Sequence, residues 1–116
     1  MRLALNLVRR SREAVRDNFI IGMRISSDEH CKGGLSNRDA AKIAAILEGA
    51  GLDYIHLSSG TKEAWKYTYP DVDCAVLPEA ETIKKAVSIP VICPGFHDPG
   101  TAAQALGAGK LDIISI

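Results

Sequence analysis

The chain has 116 residues, enough for one compact domain and too few for two. Hydrophobic residues make up 47% and charged residues 24%, an ordinary globular mixture that excludes a disordered chain. Lys plus Arg and Asp plus Glu number 14 each, so no global charge draws the chain to nucleic acid or an anionic membrane, and little charge opposes self-association.

The opening stretch MRLALNLVRRSREAV carries charges throughout, so it is neither a signal peptide nor a membrane span. Glu13 and Asp17 argue against a transit peptide. Residues 3–16 are predicted to form a helix, with Leu3, Leu7, Val8, Ala14 and Val15 on one face and Asn18 as its stop. FIIGMRIS, residues 19–26, is a short apolar run suited to a strand buried on both faces. The loop SDEHCKGGLS follows. Ser36 with Asp39 three positions on resembles a capping box, with Asp shorter than the usual Glu or Gln. It opens a helix over 37–49 with Ala40, Ile43, Ala44 and Leu47 on one stripe, closed by Gly49 and Gly51.

Residues 52–58, LDYIHLS, read as a second buried strand, and 59–77 as a long loop carrying Trp65, Tyr67 and Tyr69. Pro78 is a first-turn proline, and EAETIKKAV continues as a helix. IPVIC, residues 89–93, is the third strand. Asp98-Pro99 is an N-cap and first-turn proline for the helix TAAQALGAG. LDIISI, residues 111–116, is the fourth strand. Alternation of this kind specifies a parallel sheet with helical crossovers, in a single unit spanning 1–116.

The pattern alone allows an open doubly wound sheet or part of a closed barrel. Neither GxGxxG after the first strand nor GxxxxGK[ST] occurs, which weakens the nucleotide-binding open sheets. The strand ends carry Arg24, Ser26, Ser58, Ser59 and the turn Pro94-Gly95-Phe96-His97, as the active face of a barrel would. An intact barrel needs eight strands and about 250 residues, and a strand stopping at Ile116 suggests a cut. Cys31, Cys74 and Cys93 match no compact zinc pattern and read as reduced thiols, idle or buried as small apolar groups, of a cytoplasmic protein. His30, His56 and His97 lack metal-ligand spacing, so no metal site is expected. His56 reads as a satisfied polar group between sheet and helix.

FIIGMRIS, GGLSNRDAAKIAAILEGAGLDYIHLSSG, ETIKKAVSIPVICPGFHDP and ALGAGKLDIISI resemble, in order, successive blocks of the NADH:flavin oxidoreductase or old yellow enzyme family. The subgroup most resembled contains 2,4-dienoyl-CoA reductase and trimethylamine dehydrogenase. The resemblance implies strands five to eight of an FMN-binding (β/α)8 barrel, preceded by the helix after strand four. It implies that Arg24 faces the pyrimidine end of the flavin, where a guanidinium stabilises negative charge. An arginine paired with a rim carboxylate is the other reading of that position. It further implies that backbone amides of Gly95 and Phe96 meet the FMN phosphate, aided by the following helix N-terminus. A tight turn that needs glycine for its conformation alone is the competing reading.

Many relatives read Gly-Arg-Ile where Pro94 and Gly95 begin this turn, so the arginine contact is absent and Pro94 offers no N–H. A His-Glu-Ala stretch of dienoyl-CoA reductases appears as Lys62-Glu63-Ala64, which puts that particular reaction in doubt. Ser58, Ser59, Lys62 and Trp65 are the candidate substrate-facing residues, with loop aromatics packing on the rim as the plainer reading of Trp65. No catalytic residue is assigned, because the substrate-activating pair of the family lies on strand four, outside these blocks. The implied activity is transfer of hydride from NADH or NADPH, through FMN, to the activated double bond of a small enone or enoyl substrate. The chain by itself is expected to be inactive, and either to self-associate through its strand edges or to be marginally stable. A non-catalytic half-barrel serving as an interaction or assembly module is the alternative, and a phosphate-binding aldolase or isomerase a third.

Overall fold

Parity along the strands decides how this chain packs. Alternate side chains of a strand point to opposite faces. The computed structural model describes residues 1–62 and 72–116. Its strands are β1 (Gly22–Ser26), β2 (Tyr54–Ser58), β3 (Val91–Pro94) and β4 (Ile113–Ser115). Its helices are α1 (Arg2–Ala14), α2 (Asn37–Gly49), α3 (Leu77–Lys84) and α4 (Pro99–Gly107). The strands are all parallel and lie in the order β1-β2-β3-β4.

That order separates the two fold readings. A doubly wound sheet reverses direction at a switch point and carries helices on both faces. A monotonic order with crossovers of one hand puts every helix on the same face. Here Ile55, Leu57, Val91 and Cys93 are fully buried against Ala40, Ala44 and Leu47 of α2, Ala80 and Ile83 of α3, and Ala102 and Ala105 of α4. The intervening positions face the other way. Register rows Arg24–His56–Ile92–Ile113 and Ser26–Ser58 lie on this helix-free face.

The expectation that the first strand is buried on both faces is therefore corrected: Gly22 and Arg24 are exposed, and Phe19 and Ile20 precede the strand with exposed side chains. Among the described residues no helix covers that face, so only one parity is enclosed by them. The first helix also differs. Leu3 and Leu7 are 74% and 52% exposed, and the helix contacts its neighbour through Val8, with Ala4 one turn before it. Its stop comes at Val15, which is extended, rather than at Asn18. α3 closes at Lys84, earlier than the predicted run through Val87.

The caps behave as their chemistry dictates. Asp98 accepts the Thr101 N–H at 2.6 Å, with Pro99 in the first turn. Ser36 accepts the Asp39 N–H at 3.3 Å, but the reciprocal half of the capping box is missing. The Asp39 carboxylate instead takes the Ser36 hydroxyl at 2.6 Å, because Asp is too short to reach back to the Ser36 amide.

A repeated device ties the strand entries together. Leu52-Asp53 and Leu111-Asp112 each bury the leucine and turn the aspartate toward the preceding strand. Asp53 Oδ2 accepts the Ile21 N–H at 2.7 Å while the Asp53 N–H donates to Ile21 O at 2.8 Å. Asp112 repeats the pair on Val91, at 2.8 and 3.1 Å. A helix cation completes each unit: Arg12 of α1 on Asp53, and Lys84 of α3 on Asp112 at 2.9 Å. Arg12 also donates to Gly51 O at 2.7 Å and Phe19 O at 2.8 Å, so one guanidinium fastens α1 to two loops. Glu48 does similar work before β3, accepting the Ser88 and Ile89 amides.

The Ile21 amide and then Arg12 hold the Asp53 carboxyl below its usual range. A depressed folded-state value stabilises above the unfolded value and is lost as pH falls through the folded one. Asp53→Asn is therefore expected to lower the melting temperature near neutral pH. Below the ordinary carboxylate range the difference from wild type should shrink toward zero, as followed by circular dichroism melts across pH.

Candidate functional site

The C-terminal ends of the strands form the candidate functional rim. Arg24 lies on the helix-free face, exposed, beside His56 in register on β2. Among the described residues no carboxylate pairs with Arg24, so the rim ion pair offered as its other reading is absent there. The placement of His56 is corrected too. Ile55 and Leu57 take the helix-facing parity, which turns His56 onto the open face with Arg24, and its buried Nε2 has no hydrogen-bond partner. Burial, and then the Arg24 cation, lower the pKa of the imidazole. Among the described residues, an imidazole nitrogen without a hydrogen-bond partner thus sits beside a guanidinium without a carboxylate.

One step further along the strands come Ser26, Ser58 and the β3–α4 turn. The Ser58 hydroxyl donates across the pair to Ile25 O at 3.2 Å. Gly95 has φ of +91°, which favours glycine, and open space where a Cβ would stand. Phe96 turns its ring into the core and is 5% exposed. The turn is braced from the α3 side: Gly95 O accepts the Cys74 N–H at 2.9 Å, and Asp73 Oδ1 accepts the amides of His97 at 2.6 Å and Asp98 at 3.3 Å. Those amides hold the Asp73 carboxyl below its usual value. Two of the N–H groups of this turn are thus already matched with a carboxylate.

Ser59 has a different setting from Ser58. It is buried in a polar cluster centred on Glu79 of α3, donating to Oε1 at 3.1 Å. His30 Nε2 lies 2.8 Å from the same oxygen and 3.0 Å from Ser59 Oγ. The fully buried Ser27 places its hydroxyl against Glu79 Oε2 and Ser58 O. Asn37 donates to Ser27 O at 3.1 Å and Glu79 O at 3.2 Å, and Asp28 accepts the His30 and Asn37 amides. This cluster ties the loops after β1 and β2 to α3. Glu79 was missed in the sequence because an acid in a helix's first turn ordinarily reads as a complement to the helix dipole. Its signal is the company of Ser27 and Ser59, each just past a strand end.

Lys62 is exposed, whereas Trp65, with Glu63, Ala64, Tyr67 and Tyr69, lies outside the described residues. Cys31 is exposed, and Cys74 and Cys93 are buried. Among the described residues no helix is long and apolar enough to cross a membrane.

The layer of parallel strands alternating with helices matches part of the (β/α)8 barrel of a flavoenzyme. The proteins it is homologous to are members of the NADH:flavin oxidoreductase, or old yellow enzyme, family. No family model matches it. It is 32% identical, over its full length, to NADH oxidase of Thermoanaerobacter brockii. It is 30% identical to the multifunctional alkene reductase/demethylase OYE of Caballeronia cordobensis, again over its full length. The solved structure of histamine dehydrogenase from Rhizobium sp. 4-9 superposes on 99% of the chain with a TM-score of 0.83 at 29% identity. The chain spans 18% of the length of each of the two curated relatives and 17% of the histamine dehydrogenase chain.

Removing the Glu79 side chain leaves Ser59 and His30 without their shared acceptor. Glu79→Ala is expected to cost about 3 kcal/mol in urea unfolding, and Glu79→Gln clearly less, since an amide oxygen still accepts.

Proposed function

We propose that this chain supplies one side of an FMN site in an oxidoreductase that passes hydride from NADH or NADPH to an activated carbon–carbon double bond of an enone or enoyl substrate. The observation that carries this reading is Arg24 beside His56 Nε2, neither with a side-chain partner among the described residues, on the helix-free face below the Gly95 turn. The donor set fits the group. A guanidinium and a neutral imidazole are suited to the polar pyrimidine edge of a flavin. Gly95, without a Cβ, lets a phosphate come close to the backbone.

FMN, when bound, supplies the hydride chemistry itself. The chain's own part is electrostatic and positional. Arg24 supplies fixed positive charge where the flavin ring gains negative charge. The amides of Gly95 and Phe96 hold the phosphate, and Asp73, already on His97 and Asp98, keeps the turn shaped at the cost of a neighbouring negative charge. Ser58 and Lys62 border the ring or the substrate, with Trp65 in the same role. Ser59 acts at one remove, through the Glu79 cluster that sets the loops. Residues 1–116 serve as one unit of the barrel, and the chain alone does not turn over.

Titration of the purified chain with FMN, followed by flavin fluorescence, tests the reading. Saturable quenching is expected. Arg24→Ala should raise Kd about tenfold, or about 1.4 kcal/mol, with Arg24→Lys intermediate. No response at high protein concentration would remove FMN binding from this chain.

Among the described residues β1 and β4 each pair on one side only, which leaves two rows of backbone groups without a strand partner there. The isolated chain is expected to elute from size-exclusion chromatography as concentration-dependent oligomers, or to melt at low temperature as a monomer. A compact monomer that resists heating would contradict this.

A further inference from the structure

Two of the three thiols meet inside the fold. Cys74 lies in the segment entering α3 and Cys93 on β3, and their sulfurs are 3.8 Å apart. They are 3% and 0% exposed, and both sulfurs lie 3.6 Å from Pro94 O. Cys74 holds an unusual backbone for a non-glycine residue, with φ of +46°, and its N–H donates to Gly95 O at 2.9 Å. A disulfide needs sulfurs about 2.05 Å apart, so closure requires a shift of under about 2 Å, within reach of side-chain rotation and a small movement of one loop.

We propose that Cys74 and Cys93 form a reversible disulfide, a modification site that clamps the entry of α3 to the turn after β3. The oxidant is a peroxide. The Cys74 thiolate attacks one peroxide oxygen and breaks the O–O bond, giving a sulfenic acid and, after protonation, water. The Cys93 sulfur then attacks the sulfenic sulfur, its proton leaves with the departing hydroxide as a second water, and the S–S bond forms. Two thiols and one hydrogen peroxide become one disulfide and two waters. A small dithiol reverses the step by exchange.

The order of attack follows from the surroundings. The contact with the Cys93 thiol holds the Cys74 thiol below its usual pKa. The same contact, with burial, raises Cys93. Cys74, in the loop segment entering α3 and the less deeply buried of the two, is the attacking thiol, and Cys93, on β3 and wholly enclosed, the resolving one. The consequence reaches the rim. Cys74 and its neighbour Asp73 already hold Gly95, His97 and Asp98, so the bond would fix the turn that the FMN reading uses. The disulfide itself does not rest on that reading.

Lys32, Lys84 and Lys85 place the three cysteines in separate tryptic peptides. The purified chain is treated with stoichiometric hydrogen peroxide, unfolded, alkylated, digested and read by mass spectrometry. Alkylatable thiols should fall from three to one, with a linked Cys74–Cys93 peptide pair that dithiothreitol dissolves. Cys31→Ser should form the same link, and the oxidised form should melt at a higher temperature than the reduced form. Cys74 and Cys93 remaining alkylatable while exposed Cys31 oxidises would overturn the proposal, as would links made chiefly through Cys31.

Discussion

Everything in this molecule depends on one-sided enclosure. Right-handed crossovers between neighbouring parallel strands leave the helices no choice of face. Once they cover one side, strand parity sorts the side chains: Ile55, Leu57, Val91 and Cys93 go inward, and Arg24, His56 and Ser58 go to the open side. A charged guanidinium is tolerable in mid-strand because that side is not packed against a helix. The same constraint that builds the core therefore sets out the polar row.

The two ends of the sheet do different work. At the strand entries Asp53 and Asp112 use the same pair of bonds to hold the preceding strand, each backed by a helix cation. These contacts are about stability. At the strand exits the carboxylates of Asp28, Asp73 and Glu79 instead gather loop amides, hydroxyls and the His30 ring. They hold the loops in shape around the row of Arg24 and His56. This division matches the general behaviour of β/α barrels, in which chemistry belongs to the exit rim and stability to the entry rim.

The element order was legible because apolar runs and caps carry local physical signals. Asp98-Pro99 opens a helix for reasons confined to four residues. Parity was harder to read. FIIGMRIS is nearly apolar throughout, so its pattern does not say which side faces the helices. His56 was assigned to the wrong face because either neighbour parity suits an isolated YIHLS. Leu3 and Leu7 fit a stripe that periodicity predicts, yet α1 makes its contact through Val8. Glu79 and Asp73 were invisible as rim residues, since their partners lie 20 to 52 positions away in the chain for the first and 24 to 25 for the second. Arg24 was singled out through family resemblance, and the geometry places His56 beside it.

The open face of β1 and β2, together with the turn after β3, is the proposed flavin-facing surface. The most direct measurement is a residue-resolved one: amide and side-chain NMR shifts of isotopically labelled chain on addition of FMN. The largest changes are expected at the Arg24 guanidinium, the His56 ring and the Gly95 and Phe96 amides. Changes confined to the opposite end of the sheet, around Phe19, Ile20 and Tyr54, would contradict it.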